Sequence, residues 1–168
     1  KKFVWPDHKI EQFKIEDLRF KDFNPDSLQW TGEIEDLGKF EVNLLGEYSL
    51  AVVDAAFRIG KVLGMNSEEI KRGIAAIKPV EHRLQPIRSA KDVLVIDYSY
   101  NGNPNGVAEA IKVLGRFAGK RKIYITPGLV EMGSSVPQVH KEIGSSLAKV
   151  ADIVILIKNS VTPYIEEG

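Results

Sequence analysis

The amino-acid sequence predicts an α/β fold with a mainly parallel sheet in its second half, preceded by a β-hairpin and helices. Two observations predict it. From about residue 83, short continuous apolar runs alternate with amphipathic segments, which is typical of buried parallel strands covered by helices. Before residue 79, segments alternate apolar and charged residues, which is typical of antiparallel strands with one buried face. The pattern changes at Pro79, so we place a boundary there.

The first half is predicted to contain strands and then two helices. Alternating apolar and charged residues predict strands at residues 13–23, 27–34 and 39–45. Helical spacing of apolar residues predicts a helix over 49–63, which Gly64 would end. Asn66 and Glu69 have the spacing of a capping box, so they predict the start of a second helix.

Strand and helix patterns alternate through the second half. Apolar runs predict strands at residues 83–88, 92–97, 122–126 and 153–157. Amphipathic segments predict helices at residues 105–117 and 137–150. Because parallel strands end at the same edge of a sheet, the polar loops after the last three strands are expected to meet there. These loops are residues 99–105, 127–135 and 159–163.

The composition excludes several classes of function. The 168 residues include 23 Lys plus Arg and 23 Asp plus Glu, so net charge gives no indication of nucleic-acid binding. The absence of cysteine excludes thiol catalysis and disulfides, and it fits a cytoplasmic protein. No apolar run approaches the roughly 20 residues of a membrane-spanning helix, so no membrane span is expected. The histidines and carboxylates lack metal-binding spacing, so no metal site is predicted in this chain.

The most informative segment is a polar loop, Asp97-Tyr98-Ser99-Tyr100-Asn101-Gly102-Asn103-Pro104, between a predicted strand and a predicted helix. An acidic residue at the carboxyl end of a buried parallel strand lies where α/β sheets hold their ligands. Asparagine side chains supply neutral hydrogen-bond donors and acceptors, and a glycine lets the backbone come close to a ligand. We therefore place the candidate functional site in this loop.

Several segments, in the same order along the chain, resemble the Mur ligases. The family's motif Asp-Asp-Ser/Ala-Tyr-Asn-x-Asn-Pro is similar to residues 97–104, and its Gly-Arg-Leu is similar to His82-Arg83-Leu84. Its Met-x-Glu-Leu-Gly loop and its histidine-bearing helix are similar to residues 129–133 and 140–144. Leu44-Leu45-Gly46, before a predicted helix, resembles the end of the family's ATPase domain.

The resemblance is strongest to the ligases that add D-alanyl-D-alanine to UDP-N-acetylmuramoyl-tripeptide. It implies ATP- and magnesium-dependent formation of an amide bond in peptidoglycan precursor synthesis, through an acyl phosphate that an amine attacks. Residues 1–79 would be the C-terminal part of the central ATPase domain, and residues 80–168 a C-terminal Rossmann-like domain. The family's phosphate loop and magnesium-binding glutamate have no counterpart here. The magnesium ligands are therefore expected outside this chain, and the chain alone is expected to be inactive.

The resemblance also implies roles for individual residues. Arg83 would be catalytic, binding the ATP phosphates and stabilising charge in the transition state. Asp97 would bind the nucleotide by accepting hydrogen bonds from the ribose hydroxyls. Substrate contacts are expected from Tyr100, Asn101, Asn103 and Glu131. Simpler roles stay open, because Arg83 fits a surface ion pair and Asp or Asn residues fit helix caps and turns. His140 is expected to pack within its helix.

Two departures from the family pattern keep alternatives open. Tyr98 replaces the second aspartate of the loop motif and is similar to the ligases that add diaminopimelate or lysine, so that acceptor remains an alternative. The family's His-Asn-x-x-Asn, whose asparagine contacts adenine, is replaced here by Tyr48, Ser49 and Val52. That contact does not carry over, and a degenerate, non-catalytic ligase-like binding module is the second alternative.

Overall fold

A computed structural model describes residues 19–89 and 91–168. Its first half contains an antiparallel sheet of three strands in chain order, β1 (Arg19–Asn24), β2 (Gln29–Ile34) and β3 (Gly38–Val42). The prediction of strands in this region is confirmed for the described residues, whereas residues 13–18 lie outside them. In β2 every second residue is buried, as expected for a strand with one face on the core.

Two helices, α1 (Ser49–Val62) and α2 (Ser67–Ala75), pack on this sheet. Their buried residues form one apolar core with the sheet: Trp30, Ile34, Leu37, Phe40, Val42, Val53, Phe57, Ile70 and Ile74. The predicted capping box is confirmed, because Glu69 N–H donates to Asn66 Oδ1 at 3.0 Å and Asn66 N–H donates to Glu69 Oε2 at 2.8 Å. Gly64, at φ +75°, follows the end of α1 as predicted.

The second half alternates strands and helices, which confirms the predicted α/β class. Its elements, in chain order, are β4 (Gln85–Arg88), β5 (Leu94–Asp97), α3 (Pro104–Gly115), β6 (Ile123–Thr126), α4 (Val136–Leu147), β7 (Ile153–Leu156) and α5 (Thr162–Glu167). Strands β6 and β7 pair in parallel, as predicted. Helices α3, α4 and α5 contribute to a shared apolar cluster over these strands. No helix in the described part of the chain is long and apolar enough to cross a membrane.

Strand β4 departs from the predicted parallel arrangement. It pairs antiparallel with β5, so that Gln85 lies opposite Asp97 and Arg88 lies opposite Leu94. The connection between the strands runs only from Ser89 to Val93, and Ser89 N–H donates to Val93 O at 2.9 Å. A parallel crossover needs a dozen or more residues, so a connection this short permits only a hairpin.

A shared core joins the two halves of the described chain. One apolar cluster combines residues from both sides of Pro79: Leu28, Leu45, Leu84, Ala110, Val113 and Phe117. Phe23 of β1 meets Phe117 edge to face, with ring centroids 5.9 Å apart. The guanidinium of Arg116, at the end of α3, lies 4.3 Å from the ring centre of Trp30 and forms an ion pair with Glu47. These contacts fix α3, and the loop before it, against the first half.

Candidate functional site

Arg83 and Asp97 lie at the same edge of the second half. Because β4 and β5 run antiparallel, the start of β4 lies beside the end of β5, and Gln85 is the residue opposite Asp97. Leu84, which follows Arg83, is only 1% exposed and anchors this segment in the core that α3 shares. The structure therefore brings together the two residues that the sequence marked for nucleotide binding.

Asp97 forms an ion pair with His82. Nδ1 of His82 lies 2.7 Å from Asp97 Oδ2, and the backbone N–H of Ser99 donates to Asp97 Oδ1 at 3.0 Å. The hydrogen bond from His82, followed by those from Ser99, holds the pKa of Asp97 below its usual 3.8. The hydrogen bond to Asp97 and the attraction of its charge raise the pKa of His82 above the ordinary 6.5. Asp97 is thus a carboxylate at neutral pH, with one donor on each oxygen.

This ion pair is expected to stabilise the folded protein only over a limited pH range. Stabilisation from the raised pKa of His82 is complete below the ordinary imidazole pKa and is lost as pH rises through the raised value. Stabilisation from the lowered pKa of Asp97 is lost as pH falls through that lowered value. An NMR titration of the His82 ring is expected to give a pKa above 6.5, which Asp97→Asn returns to about 6.5. Equal pKa values in the two proteins would contradict the pairing.

The guanidinium of Arg83 stacks on an aromatic ring. Its Cζ lies 4.7 Å from the ring centre of Tyr100, whose side chain is 68% exposed. In the part of the chain that the structure describes, Arg83 forms no ion pair with a carboxylate. Stacking on Tyr100 orients the guanidinium while leaving its N–H groups available, which is the arrangement that binds phosphate in a bidentate manner.

The backbone around Arg83 is left-handed on both sides. His82 has φ +60° and Leu84 has φ +50°, a region that costs non-glycine residues about 1–2 kcal/mol each. Two hydrogen bonds hold the segment, because His82 N–H donates to Gln85 Oε1 at 3.2 Å and Tyr100 N–H donates to His82 O at 3.4 Å. Strain of this kind concentrates at binding and catalytic sites. Sequence patterns do not indicate it.

The asparagines of the loop have different surroundings. Asn103 is the N-cap of α3, since its Oδ1 accepts the Gly106 N–H at 2.9 Å and Pro104 begins the helix. The simpler cap role is therefore present for Asn103. Asn101 is exposed in the loop between Tyr100 and Gly102. A Cβ on Gly102 would come within 2.6 Å of Leu129 Cδ2, so this loop lies directly against the loop that follows β6.

The three loops predicted to meet do so. The loop of Asp97 contacts the loop after β6 through Gly102 and Leu129. The loop after β7 joins it through Asn159, whose Nδ2 donates to Pro127 O at 2.6 Å. Asn159 Oδ1 also accepts the Val161 N–H at 2.9 Å, so this asparagine fixes its own loop as well. From the sequence, Asn159 is predicted only to lie in a polar loop, because its partner Pro127 is distant in the chain.

Glu131 is exposed in the loop after β6 and has φ +61°. His140 on α4 supports this loop from below, as it is fully buried and its Nε2 accepts the Leu129 N–H at 2.9 Å. Its Nδ1 bonds to Val136 O at 2.7 Å, so both ring nitrogens are occupied within the protein. His140 therefore packs within the protein, as predicted.

The structure also shows the surroundings of residues that depart from the family pattern. The Tyr98 hydroxyl packs against Gly106 of α3, and its ring joins the apolar clusters beneath the helix. Tyr98 is thus a packing residue in this structure. Tyr48 and Val52 are half-exposed at the start of α1, 50% and 45% respectively. Within the described residues, no three His, Asp or Glu side chains are grouped as metal ligands would be.

Comparison with known proteins gives consistent matches. A family model described as Mur ligase, glutamate ligase domain, matches residues 82–166. The UDP-N-acetylmuramoyl-tripeptide–D-alanyl-D-alanine ligase of Escherichia coli (strain K12) is 33% identical over 110 residues, which are 66% of this chain and 24% of that protein. The ligase of the same name from Haemophilus influenzae is 28% identical over 84% of this chain and 32% of its own length.

A similar fold is present in a solved structure. The crystal structure of MurF ligase from Thermotoga maritima in complex with ADP matches 89% of this chain and 35% of that chain, with a TM-score of 0.72 and 23% identity. The likeness in this case is one of fold. The chain spans about a quarter to a third of the length of the relatives that it matches.

Proposed function

Because this chain belongs to the Mur ligase family, we propose that it is part of an ATP-dependent ligase that adds D-alanyl-D-alanine to UDP-N-acetylmuramoyl-tripeptide. Both relatives described above carry that name, and together they support this acceptor. Residues 1–79 would form the C-terminal part of the ATPase domain, and residues 80–168 the C-terminal Rossmann-like domain. The match of the family model to residues 82–166 agrees with this division.

One observation supports the proposal most strongly. Two groups lie at one edge, among three polar loops: a guanidinium that has no carboxylate partner among residues 19–89 and 91–168, and a carboxylate at the end of a strand. A nucleotide offers the two complements, since its phosphates accept hydrogen bonds from arginine and its ribose hydroxyls donate to a carboxylate. The residues present therefore fit a nucleotide, and the described part of the chain contains no group of three or more His, Asp or Glu side chains that could hold a metal ion.

Each residue then has a stated task. Arg83 binds the phosphates, and its fixed positive charge stabilises the charge that develops during phosphoryl transfer. Asp97 accepts hydrogen bonds from the ribose and so fixes the position of the nucleotide. ATP, when bound, supplies the phosphoryl group that activates the substrate carboxylate for attack by the amine. Tyr100 lies beside Arg83, and Asn101, Asn103 and Glu131 lie on the same loop or on the loop after β6. These four residues would contact the substrates, and Asn103 would do so from its position as the helix cap.

The experiment that tests the proposal measures phosphate release by the full-length protein that contains this chain. Release is expected to require ATP, UDP-N-acetylmuramoyl-tripeptide and D-alanyl-D-alanine together. A diamino acid and the UDP-N-acetylmuramoyl-dipeptide are offered in a parallel assay, and a preference for that pair would assign the related amino-acid-adding ligase instead.

Two variants test whether Asp97 contributes to ATP binding. Asp97→Ala is expected to weaken ATP binding, whereas Asp36→Ala, which removes an exposed carboxylate in the turn before β3, is expected to leave it unchanged. If no substrate combination releases phosphate while ATP still binds to the protein, the proposal of a ligase is wrong and the non-catalytic binding module takes its place.

A further inference from the structure

His82 occupies a backbone position that suits glycine better than histidine. Its φ of +60° lies in the left-handed region, where a side chain is disfavoured. Its N–H and its C=O are both used, by Gln85 Oε1 and by the N–H of Tyr100, so the backbone conformation is held from two sides. A histidine in such a position needs a favourable contact of its side chain to offset the strain.

That contact is the one with Asp97. The Nδ1···Oδ2 distance is 2.7 Å, which is typical of a charge-assisted hydrogen bond. The second oxygen, Oδ1, accepts from Ser99 N–H, so the carboxylate is held at both ends and cannot rotate freely. A carboxylate oxygen has more than one lone pair, and each oxygen therefore retains the capacity to accept a further hydrogen bond.

We propose that His82 is a positioning residue, which holds the Asp97 carboxylate in the orientation that accepts hydrogen bonds from the two hydroxyls of a nucleotide ribose. This inference rests on the proposed function. His82 acts through Asp97, and it needs no contact of its own with the nucleotide. The side chain of His82 is 51% exposed and that of Asp97 20%, so the pair is open to a ligand at the edge of the sheet.

Two substitutions of His82 separate its backbone role from its side-chain role. Glycine removes the imidazole and adopts φ +60° without strain, so His82→Gly is expected to fold. Asparagine also tolerates the left-handed region, and its amide nitrogen lies at about the distance from the backbone that Nδ1 has in histidine. His82→Asn therefore keeps a neutral donor for Asp97.

The test measures the affinity of the full-length protein for ATP and for 2′,3′-dideoxy-ATP by calorimetry. Since only ATP carries the ribose hydroxyls, His82→Gly is expected to weaken ATP binding by about tenfold, the lower end of the range for the loss of one charge-assisted hydrogen bond. Binding of 2′,3′-dideoxy-ATP is expected to be unchanged. His82→Asn is expected to restore most of the affinity for ATP. Thermal unfolding of each variant verifies that it is folded.

The outcomes distinguish this inference from the proposed function. If Asp97→Ala weakens ATP binding but His82→Gly does not, Asp97 binds the ribose without help and the inference is wrong. If His82→Gly lowers the affinity for ATP and for 2′,3′-dideoxy-ATP equally, the inference is also wrong, because the effect then does not depend on the ribose hydroxyls. If the wild-type protein binds ATP and Asp97→Ala has no effect, the ribose role of Asp97 fails, and the role of His82 fails with it.

Discussion

Replacing Arg83 with alanine is expected to lower the proposed ATP-dependent phosphate release by the full-length protein about 10²- to 10³-fold, as for the loss of one pre-positioned group that stabilises transition-state charge. Arg83 forms no ion pair in the described part of the chain, and it is held over Tyr100. Its loss therefore removes the proposed phosphate ligand without leaving a buried carboxylate unpaired. Steady-state kinetics with all three substrates measures the effect.

Two further variants test the reason for this loss. Arg83→Lys keeps the charge but not the planar fork, so it is expected to recover only part of the rate. Arg121, an exposed arginine outside the candidate site, is the matched control, and Arg121→Ala is expected to retain the wild-type rate. A rate for Arg83→Ala within twofold of the wild type would show that Arg83 does not touch the reacting phosphate.

Replacing Trp30 with alanine is expected to destabilise the protein by about 3–5 kcal/mol, the usual cost of removing a buried tryptophan. Trp30 is 3% exposed, stacks on Phe20 with ring centroids 4.6 Å apart and lies beneath the guanidinium of Arg116. Its Nε1–H also donates to Leu45 O at 3.0 Å. The substitution thus removes a ring stack, a cation–π contact and the partner of a backbone carbonyl.

Urea unfolding followed by circular dichroism measures this loss of stability. Tyr100→Ala is the control for removal of an aromatic ring, because Tyr100 is 68% exposed, and it is expected to change the free energy of unfolding by less than about 1 kcal/mol. A loss below about 1 kcal/mol for Trp30→Ala would contradict the packing described for the junction between the two halves.

Local signals in the sequence predict much of this structure. The Asn66–Glu69 capping box, the glycine after α1 and the polar loop after β5 all depend on neighbouring residues, and all are present. The sequence predicts the meeting of the three loops from the geometry of one parallel sheet. In the structure β5 lies in a separate two-stranded sheet from β6 and β7, and the loops meet through the contacts of Gly102 with Leu129 and of Asn159 with Pro127. The local features need no knowledge of long-range contacts, which is why a single sequence suffices for them.

The direction of β4 is not predictable in this way, because an apolar run does not indicate in which direction its strand runs. In a parallel pair, the start of one strand and the end of the next lie at opposite edges, and Arg83 would be separated from Asp97 by the length of the strands. The antiparallel pairing with β5 places them together. The short connection from Ser89 to Val93 is the one local feature that indicates it.

Sequence patterns also do not predict which side chains form hydrogen bonds with each other within the site. Asn103 and Asn101 are equivalent as sequence candidates, yet only Asn103 caps α3. His82 precedes Arg83 in the chain, but its pairing with Asp97 joins residues on two strands and requires a left-handed backbone. Asn159 links two loops that are distant in sequence. These contacts depend on tertiary geometry and become visible only in the folded chain.

A crystal structure of the full-length protein with a non-hydrolysable ATP analogue would show whether Arg83 and Asp97 bind the nucleotide. We expect ribose hydroxyls within about 3 Å of the Asp97 carboxylate and the Arg83 guanidinium against the phosphates, with His82 still bonded to Asp97. A nucleotide bound elsewhere, with neither Arg83 nor Asp97 in contact with it, would show that these residues do not form a nucleotide site.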